Sequence, residues 1–372
     1  MKRIGITGAD GLIGWQLRCF LKGQPDIRVV PANRATFSSP DFLAEFVSSV
    51  DTVIHLAGMN RGADSEIAAT NIALTEALIT ACEQTRCTPH IFFASSAHAV
   101  SATHEKMNSA YSQSKRECTR LLKAWALRNQ ALFTNLIMPH VFGEHGKPFY
   151  NSVVSTFCYQ LAVDEIPTVV NDGELELVHA QRVAQNILAL IHEGRTGDAP
   201  IPGTPMTVHE LLAKLSNFAK QYRGQIMPDL RSDIDLFLFN TYRSYLYPTH
   251  YPVTATMHCD NRGSLFEAIK SHNGGQSFIS TTRPGITRGN HFHFSKVERF
   301  CVVSGEALIR IRKLFSDKIV EFPVSGAKPQ YIDIPTLHTH NITNIGKSEL
   351  ITLFWTHEIY DTAHPDTIVE PV

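Results

Sequence analysis

The sequence predicts two folds in series: a doubly wound α/β parallel sheet over the first two-thirds, then an all-β antiparallel barrel. Three observations carry this. From residue 2 to about residue 138, short apolar runs alternate with helical patterns, the order that builds βαβ units. From residue 276 onward, short runs with period-two alternation follow one another between Gly and Pro turns, as in a closed antiparallel barrel or jelly roll. Between the two the texture changes near Tyr242, where the aromatic, proline-punctuated TYRSYLYPTHYP reads as a linker. The boundaries are set at 1–241 and 250–372.

Composition bounds the function. A chain of 372 residues, 43% apolar and 19% charged, can fill two cores. A net charge of −1 with no basic arm argues against nucleic acid as the partner. The opening MKRIGITGADGLIG is broken by Gly and Asp and reads as a strand and a turn, not as a leader. No stretch reaches the roughly 20 apolar residues of a membrane span, so no membrane insertion is expected. Seven scattered cysteines without a CxxC are expected to be free thiols in a reducing cytoplasm.

The first strand is KRIGIT. It runs into GADGLIG, where Gly8, Gly11 and Gly14 are spaced GxxGxxG ahead of a helical WQLRCFLKG. Glycines there let the backbone turn tightly and approach a pyrophosphate lying on the helix N-terminus. Asp10, Leu12 and Ile13 belong to the same turn and helix start. DIRVVPANR (26–34), DTVIHLAG (51–58) and HIFFASSA (90–97) supply the second, third and fourth strands of a Rossmann-like sheet, the third ending in the turn Leu56, Ala57, Gly58. The second strand ends in Asn33 and Arg34, with no carboxylate to bind a ribose 2′-hydroxyl. Arg34 suits a 2′-phosphate, and the expected cofactor is NADPH. Tyr111 and Lys115, at i and i+4, share a helix face, and the ammonium is expected to lower the phenol pKa for proton exchange with a carbonyl or alcohol. A serine hydroxyl from the preceding strand end can hold the same oxygen.

These residues together resemble the extended short-chain dehydrogenase/reductase family. The resemblance implies Ser96 (rather than its neighbour Ser95) as the catalytic serine, Tyr111 as the acid and Lys115 as its partner at the nicotinamide ribose. It also implies Asn71, on the helix before the serine strand, and His140 and Val141, in the segment after the next strand, as cofactor neighbours. The short spacing from Ser96 to Tyr111 implies a clipped loop over the site. Residues 146–240 are expected to form the substrate side of the same domain, with Lys147, Tyr150, Asn151 and Arg182 as candidate phosphate contacts or surface residues.

In the last third, RPGITRGNHFHFSKVERFCVVSG carries Gly285, His291, His293, Glu298 and Gly305. A strand puts alternate side chains on one face, so the two histidines point together. With a carboxylate from the adjacent strand they suit Zn²⁺ or another divalent metal, and Gly305 turns the chain between strands. The run resembles the first motif of the cupin superfamily. Pro335, His340 and Asn344 match its second motif, with Leu337 standing where that motif has Gly. This implies His291, His293, Glu298 and His340 as metal ligands, with His338 as a backup.

Reductase plus cupin, with HLAGMNR (55–61), MPHVFGEHGKPFYNSVVSTFCYQLA (138–162) and RPGITRGNHFH (283–293), resembles the CapF/WbjC-type family of bifunctional capsule and O-antigen enzymes. The resemblance implies a role in making UDP-N-acetyl-L-fucosamine. The cupin would epimerise C3 of a UDP-2-acetamido-2,6-dideoxy-hexos-4-ulose, and the reductase would reduce the C4 ketone with NADPH to the L-talose product. Lys296, Tyr331 and His338 are candidate epimerisation bases by position alone. Two rivals are a single-function NADP-dependent 4-reductase with a structural or dimerising cupin, and a non-enzymatic NADP sensor. A homodimer is expected, since such barrels cover open edges against a partner.

Overall fold

The computed structural model describes residues 1–100, 109–261 and 263–372. They form two compact units, Met1–Val153 with Asn171–Val208, and Val154–Val170 with His209–Val372.

The first unit is built on six parallel strands in the order Ile27–Ala32, Lys2–Thr7, Thr52–His55, His90–Ser96, Phe133–Met138, Gly197–Pro200. The strands read from sequence are present, trimmed at their ends. They are apolar along their length because both faces are covered. Ile4, Ile6, Ile54, Phe92 and Leu136 pack under helices Leu12–Lys22 and Ala180–Glu193. Val53, Ile91, Phe93 and Phe133 pack under Pro40–Ser48, Asp64–Thr85 and Ala110–Asn129. Each such side chain, fully buried, contributes about 1.5–3 kcal/mol. The order reverses at Lys2–Thr7: the chain first adds a strand on one side, then crosses to the other. That opens a crevice between the carboxyl ends of Lys2–Thr7 and Thr52–His55, where ligands of such sheets bind.

The second unit contains two five-stranded sheets. One orders Val253–Thr254, Gln330–Ile334, Glu298–Ser304, Leu350–Thr356, Gln276–Thr282, and the other Ile319–Ser325, Glu306–Lys313, His338–Asn344, Thr287–Phe292, Ile368–Val369. All pairings within them are antiparallel. Phe300, Ile332 and Phe354 of the first sheet share a core with Ile309, Phe322 and Ile342 of the second. The expected barrel thus takes the form of two facing sheets.

The linker expected at Tyr242 is a correction. Residues 242–246 are the last turns of the helix Asp233–Leu246, and Tyr242 and Arg243 are buried. Aromatic residues are indifferent helix formers, but tertiary burial overrides that preference. Arg243 donates to Asn240 Oδ1 (2.8 Å) and to the Ile334 carbonyl (3.3 Å), and Asn240 Nδ2 donates to the Ser295 carbonyl (2.8 Å). The helix stops ahead of Pro248, whose ring disfavours helical geometry in the residue before it. Packing therefore groups Val154–Ala162, His209–Arg223 and Asp233–Leu246 with the C-terminal strands, whereas the sequence reading kept them with the first domain to residue 241.

A buried ion pair ties this unit together. Arg299 meets Asp333 through two hydrogen bonds of 2.6 and 2.8 Å, and Asp333 also accepts from Tyr222 (2.5 Å), whose hydroxyl meets that of Tyr251 at 2.6 Å. No helix among the described residues is long and apolar enough to cross a membrane.

Candidate nucleotide site and metal centre

The glycine turn is tight by construction. Gly8 has φ +67°, and a Cβ there would lie 2.8 Å from the Ala57 nitrogen. A Cβ on Gly14 would lie 2.3 Å from the Gly8 carbonyl oxygen. The two strand ends at the crevice therefore touch through backbone. Thr7 adds a second link, its Oγ1 accepting from Leu56 N and Ala57 N (3.1 Å each) and meeting His55 Nδ1 at 2.7 Å. Burial holds the His55 pKa down at about 3, so the ring is neutral and its Nδ1 accepts the threonine proton. Gly11 is the N-cap of Leu12–Lys22, and no side chain caps it, which leaves the first amides to face an anion. Ile13 packs on the core, while Asp10 pairs with Arg18 at 2.9 Å. Asn33 Oδ1 accepts from Ala35 N (2.9 Å) and Thr36 N, shaping the turn that presents the exposed Arg34.

Asn71, Ser114 and Lys115 converge beside Gly58. Asn71 exchanges hydrogen bonds with the Met59 backbone (2.6 and 2.9 Å) and donates to Ser114 Oγ (3.0 Å). Lys115 Nζ is buried, donates to the Ala94 carbonyl at 2.7 Å, and lies 5.6 Å from the Tyr111 ring centre. The expected lowering of the Tyr111 pKa does not occur. Burial pushes the phenol up to about 12, and burial also lowers Lys115 to about 8. In each case the cause is desolvation, which disfavours the charged form. Ser96 Oγ accepts from His98 N (3.2 Å) and lines a cavity of about 200 Å³ with His98, Met138, Pro139, His140 and Glu176. Ser95 is buried in the strand. The clipped loop expected between Ser96 and Tyr111 falls largely on 101–108, outside the described residues. Of the candidate phosphate contacts, Lys147 and Tyr150 lie together, while Arg182 bonds Gln185 along its own helix (2.8 Å).

The second cluster is compact. One ligand atom from each of His291, His293, Glu298 and His340 lies within 4.8 Å of every other. Strand register explains it: His291 pairs with His340, and a bulge between Gly289 and His291 re-aims the ring. Gly289 allows this at φ +101°, since a Cβ would sit 2.8 Å from the His340 carbonyl. His293 Nε2 is 3.1 Å from Glu298 Oε2. His340 Nε2 lies 3.3 Å from the same oxygen, yet it is buried with no hydrogen-bond partner among the described residues. Three imidazoles and a carboxylate fit a first-row divalent ion such as Zn²⁺, and the orphaned nitrogen is what a metal ligand looks like. Burial with its two histidine neighbours lowers His291 to about 3, leaving it neutral for ligation. Burial would raise Glu298, but His293 and His340 outweigh it and hold the carboxylate ionised. His338 lies outside the cluster: Nδ1 meets the Thr336 carbonyl (2.8 Å) and the ring packs 5.0 Å from Tyr247. Tyr331 stacks under Arg299, and Lys296 lies 3.8 Å from Glu358. Leu337 adopts φ +60°, so the turn keeps a glycine-like conformation with leucine in place.

Residues 4–202 match the model of the NAD dependent epimerase/dehydratase family, more than half of the chain. The chain belongs to that family. Residues 258–368 match the polysaccharide biosynthesis C-terminal domain. The family member is 30% identical to UDP-2-acetamido-2,6-beta-L-arabino-hexul-4-ose reductase of Pseudomonas aeruginosa, over 98% of this chain and 97% of that one. It is similar to the capsular polysaccharide assembling protein CapF from Staphylococcus aureus at 33% identity, covering 99% and 100% of the two chains with a TM-score of 0.64. UDP-N-acetylglucosamine 4-epimerase from Bacillus cereus, at 22% identity and a TM-score of 0.51 over 59% of this chain and 82% of its own, shares the first fold.

Sequence reasoning missed several residues of this family member's site. Asp366 accepts from the amides of Phe294 (2.7 Å), Ser295 and Lys296 (2.8 Å each), while its carbonyl takes His293 Nδ1. That fixes the tautomer and leaves Nε2 facing the cluster. Glu144, buried beneath the His140–Phe142 strand, accepts from Gln16 Nε2 (2.8 Å) and meets His179 Nε2 at 3.0 Å. Despite burial, His179 and Gln16 hold its carboxyl down at about 2. Each partner is dozens of residues away in sequence, so no local pattern announces these contacts.

Proposed function

We propose that the chain is a bifunctional nucleotide-sugar enzyme of UDP-N-acetyl-L-fucosamine synthesis. Its C-terminal domain (250–372) epimerises C3 of a UDP-2-acetamido-2,6-dideoxy-hexos-4-ulose. Its N-terminal parallel-sheet domain reduces the C4 ketone to UDP-2-acetamido-2,6-dideoxy-L-talose. The observation that carries this is the presence on one chain of the Tyr111–Lys115 pair beside a dinucleotide turn and of the His291, His293, Glu298, His340 cluster. End-to-end similarity to a reductase of a UDP-linked hexul-4-ose supports the substrate class.

Gly8, Gly11, Gly14, Asp10, Leu12, Ile13, Leu56, Ala57, Gly58, Asn71, His140 and Val141 would hold NADPH, with Asn33 and Arg34 at the 2′-phosphate. When bound, NADPH supplies a hydride to C4. Tyr111, protonated at neutral pH with its pKa near 12, gives its proton to the oxygen that receives the electron pair. Lys115 is mostly cationic below its pKa of about 8 and would hold the nicotinamide ribose, and Ser96 would orient the carbonyl from the cavity wall. In the barrel, a bound Zn²⁺ supplies Lewis acidity toward a ketone oxygen. The C4 ketone acidifies the C3 hydrogen, so epimerisation must precede reduction. The enzyme works as a homodimer in the cytoplasm, where its seven cysteines stay reduced; those cysteines are free in the fold.

The test is to mix the protein with the 4-keto sugar nucleotide in D₂O, with and without NADPH. Deuterium uptake at C3 without NADPH, abolished in His291→Ala, is the expected result. NADPH consumption with no C3 exchange would reduce the protein to a reductase with a structural barrel.

A further inference from the structure

We infer that Arg61, Lys147 and Tyr150 form an anion subsite for the diphosphate of the sugar nucleotide. This rests on the nucleotide-sugar reading above and extends it to named residues. Arg61 lies in the loop after Gly58, and Lys147 and Tyr150 lie in the loop after the His140–Phe142 strand. The first loop leaves the carboxyl end of Thr52–His55, and the second follows the short strand that comes directly after the carboxyl end of Phe133–Met138; ligands of such folds bind outside those strand ends. Arg61 Nη1 donates to the Phe149 carbonyl (2.5 Å), and its guanidinium carbon lies 5.9 Å from the Tyr150 ring centre. Lys147 Nζ lies 5.1 Å from the same ring. All three residues are exposed, and neither cation has a carboxylate within ion-pair distance among the described residues.

Two like charges on one ring repel, and cation–π attraction at an exposed site is weak. The arginine is nevertheless held. Asn71 clamps Met59, two residues from Arg61, through both of its amide groups. Phe149, whose carbonyl Arg61 grips, holds a left-handed φ of +54°, uncommon for an aromatic residue. A held arginine beside a lysine, with no carboxylate against either, suits a multiply charged anion. The arginine fork matches phosphate oxygens, lysine adds a mobile point charge, and the tyrosine offers a floor for the nucleoside. The cofactor's own pyrophosphate has a separate place, at the uncapped N-terminus of Leu12–Lys22. The second diphosphate is therefore the one these cations meet.

The test is an equilibrium titration of UDP into the full-length protein saturated with NADPH. Arg61→Ala and Lys147→Ala are each expected to weaken UDP by about ten-fold or more, with NADPH affinity and melting temperature unchanged. Uridine should bind with an affinity that neither variant alters. Wild-type UDP affinity in both variants, or a loss of NADPH rather than UDP binding, would overturn the subsite. Turnover of the 4-keto sugar is measured beside it. If turnover is intact and UDP binding ignores both cations, the subsite fails and the enzyme reading stands. If UDP depends on both cations but no keto sugar oxidises NADPH, the subsite stands and the enzyme reading fails.

Discussion

Gly14→Ala tests whether the dinucleotide turn is built by backbone contact. The added Cβ would meet the Gly8 carbonyl oxygen at 2.3 Å and the Ala9 Cα at 2.8 Å, where ordinary contact begins near 3.4 Å. The overlap with the oxygen is thus about 1 Å, and both partners are backbone, so no side-chain rotation relieves it. The helix Leu12–Lys22 must retreat by a similar distance, loosening Leu17 and Leu21 in the core beneath. Overpacking of this kind costs about 1–3 kcal/mol, which for a unit of this size lowers the melting temperature by roughly 2–12 °C. Gly11→Ala is the control within the same turn. Its Cβ would come no closer than 3.3 Å to any neighbour, and its φ of −71° suits any residue. It should melt within about 2 °C of wild type. The assay is thermal unfolding without nucleotide, followed by NADPH titration of each variant. If Gly14→Ala melts and binds NADPH as Gly11→Ala does, the close approach is not what shapes the site.

Three further outcomes are expected. Tyr111→Phe should lower the NADPH-dependent rate by about 10²–10⁴-fold while leaving NADPH affinity unchanged, checked by steady-state kinetics and titration. Burial lowers Lys115 from 10.5 to about 8, so the folded state sheds this proton before the unfolded chain does. The contribution of Lys115 to stability should therefore rise with pH between about 8 and 10.5, while a rate that needs its ammonium falls above pH 8; comparison with Lys115→Met in both profiles isolates the group. Asp333→Ala would leave Arg299 buried and unpaired at a cost of about 3–5 kcal/mol, seen as an early unfolding transition, and a melting curve like wild type would remove the pair from the account of this fold.

Much of this molecule was legible because its signals are local. Short apolar strands such as HIFFASS must be buried on both faces, and a glycine turn before a helix fixes where the crevice opens. The spacing of His291, His293 and Glu298 survives folding because strand register converts it directly into geometry. Other features depend on partners far along the chain. Thr7 finds His55 across 48 residues, His293 finds Asp366 across 73, and Tyr222 finds Asp333 across 111. The Tyr111–Lys115 spacing was read correctly as proximity, but its electrostatics was not. Charge attraction was expected to win, and desolvation, which no spacing records, wins instead. The helix ending at Leu246 was hidden because aromatic residues and a following proline mimic a linker until their burial is known.

Leu337 bears on how such barrels are recognised from sequence. A left-handed leucine costs on the order of 1–2 kcal/mol in backbone energy, but this one is wholly buried, which returns a comparable amount. Its N–H also reaches the His293 carbonyl at 2.9 Å. Burial thus offsets the strain of the left-handed backbone, and leucine can hold a turn that glycine would adopt freely. A pattern search keyed to glycine would discard such barrels, whereas one keyed to the dihedral angle and the spacing of the flanking histidines would retain them.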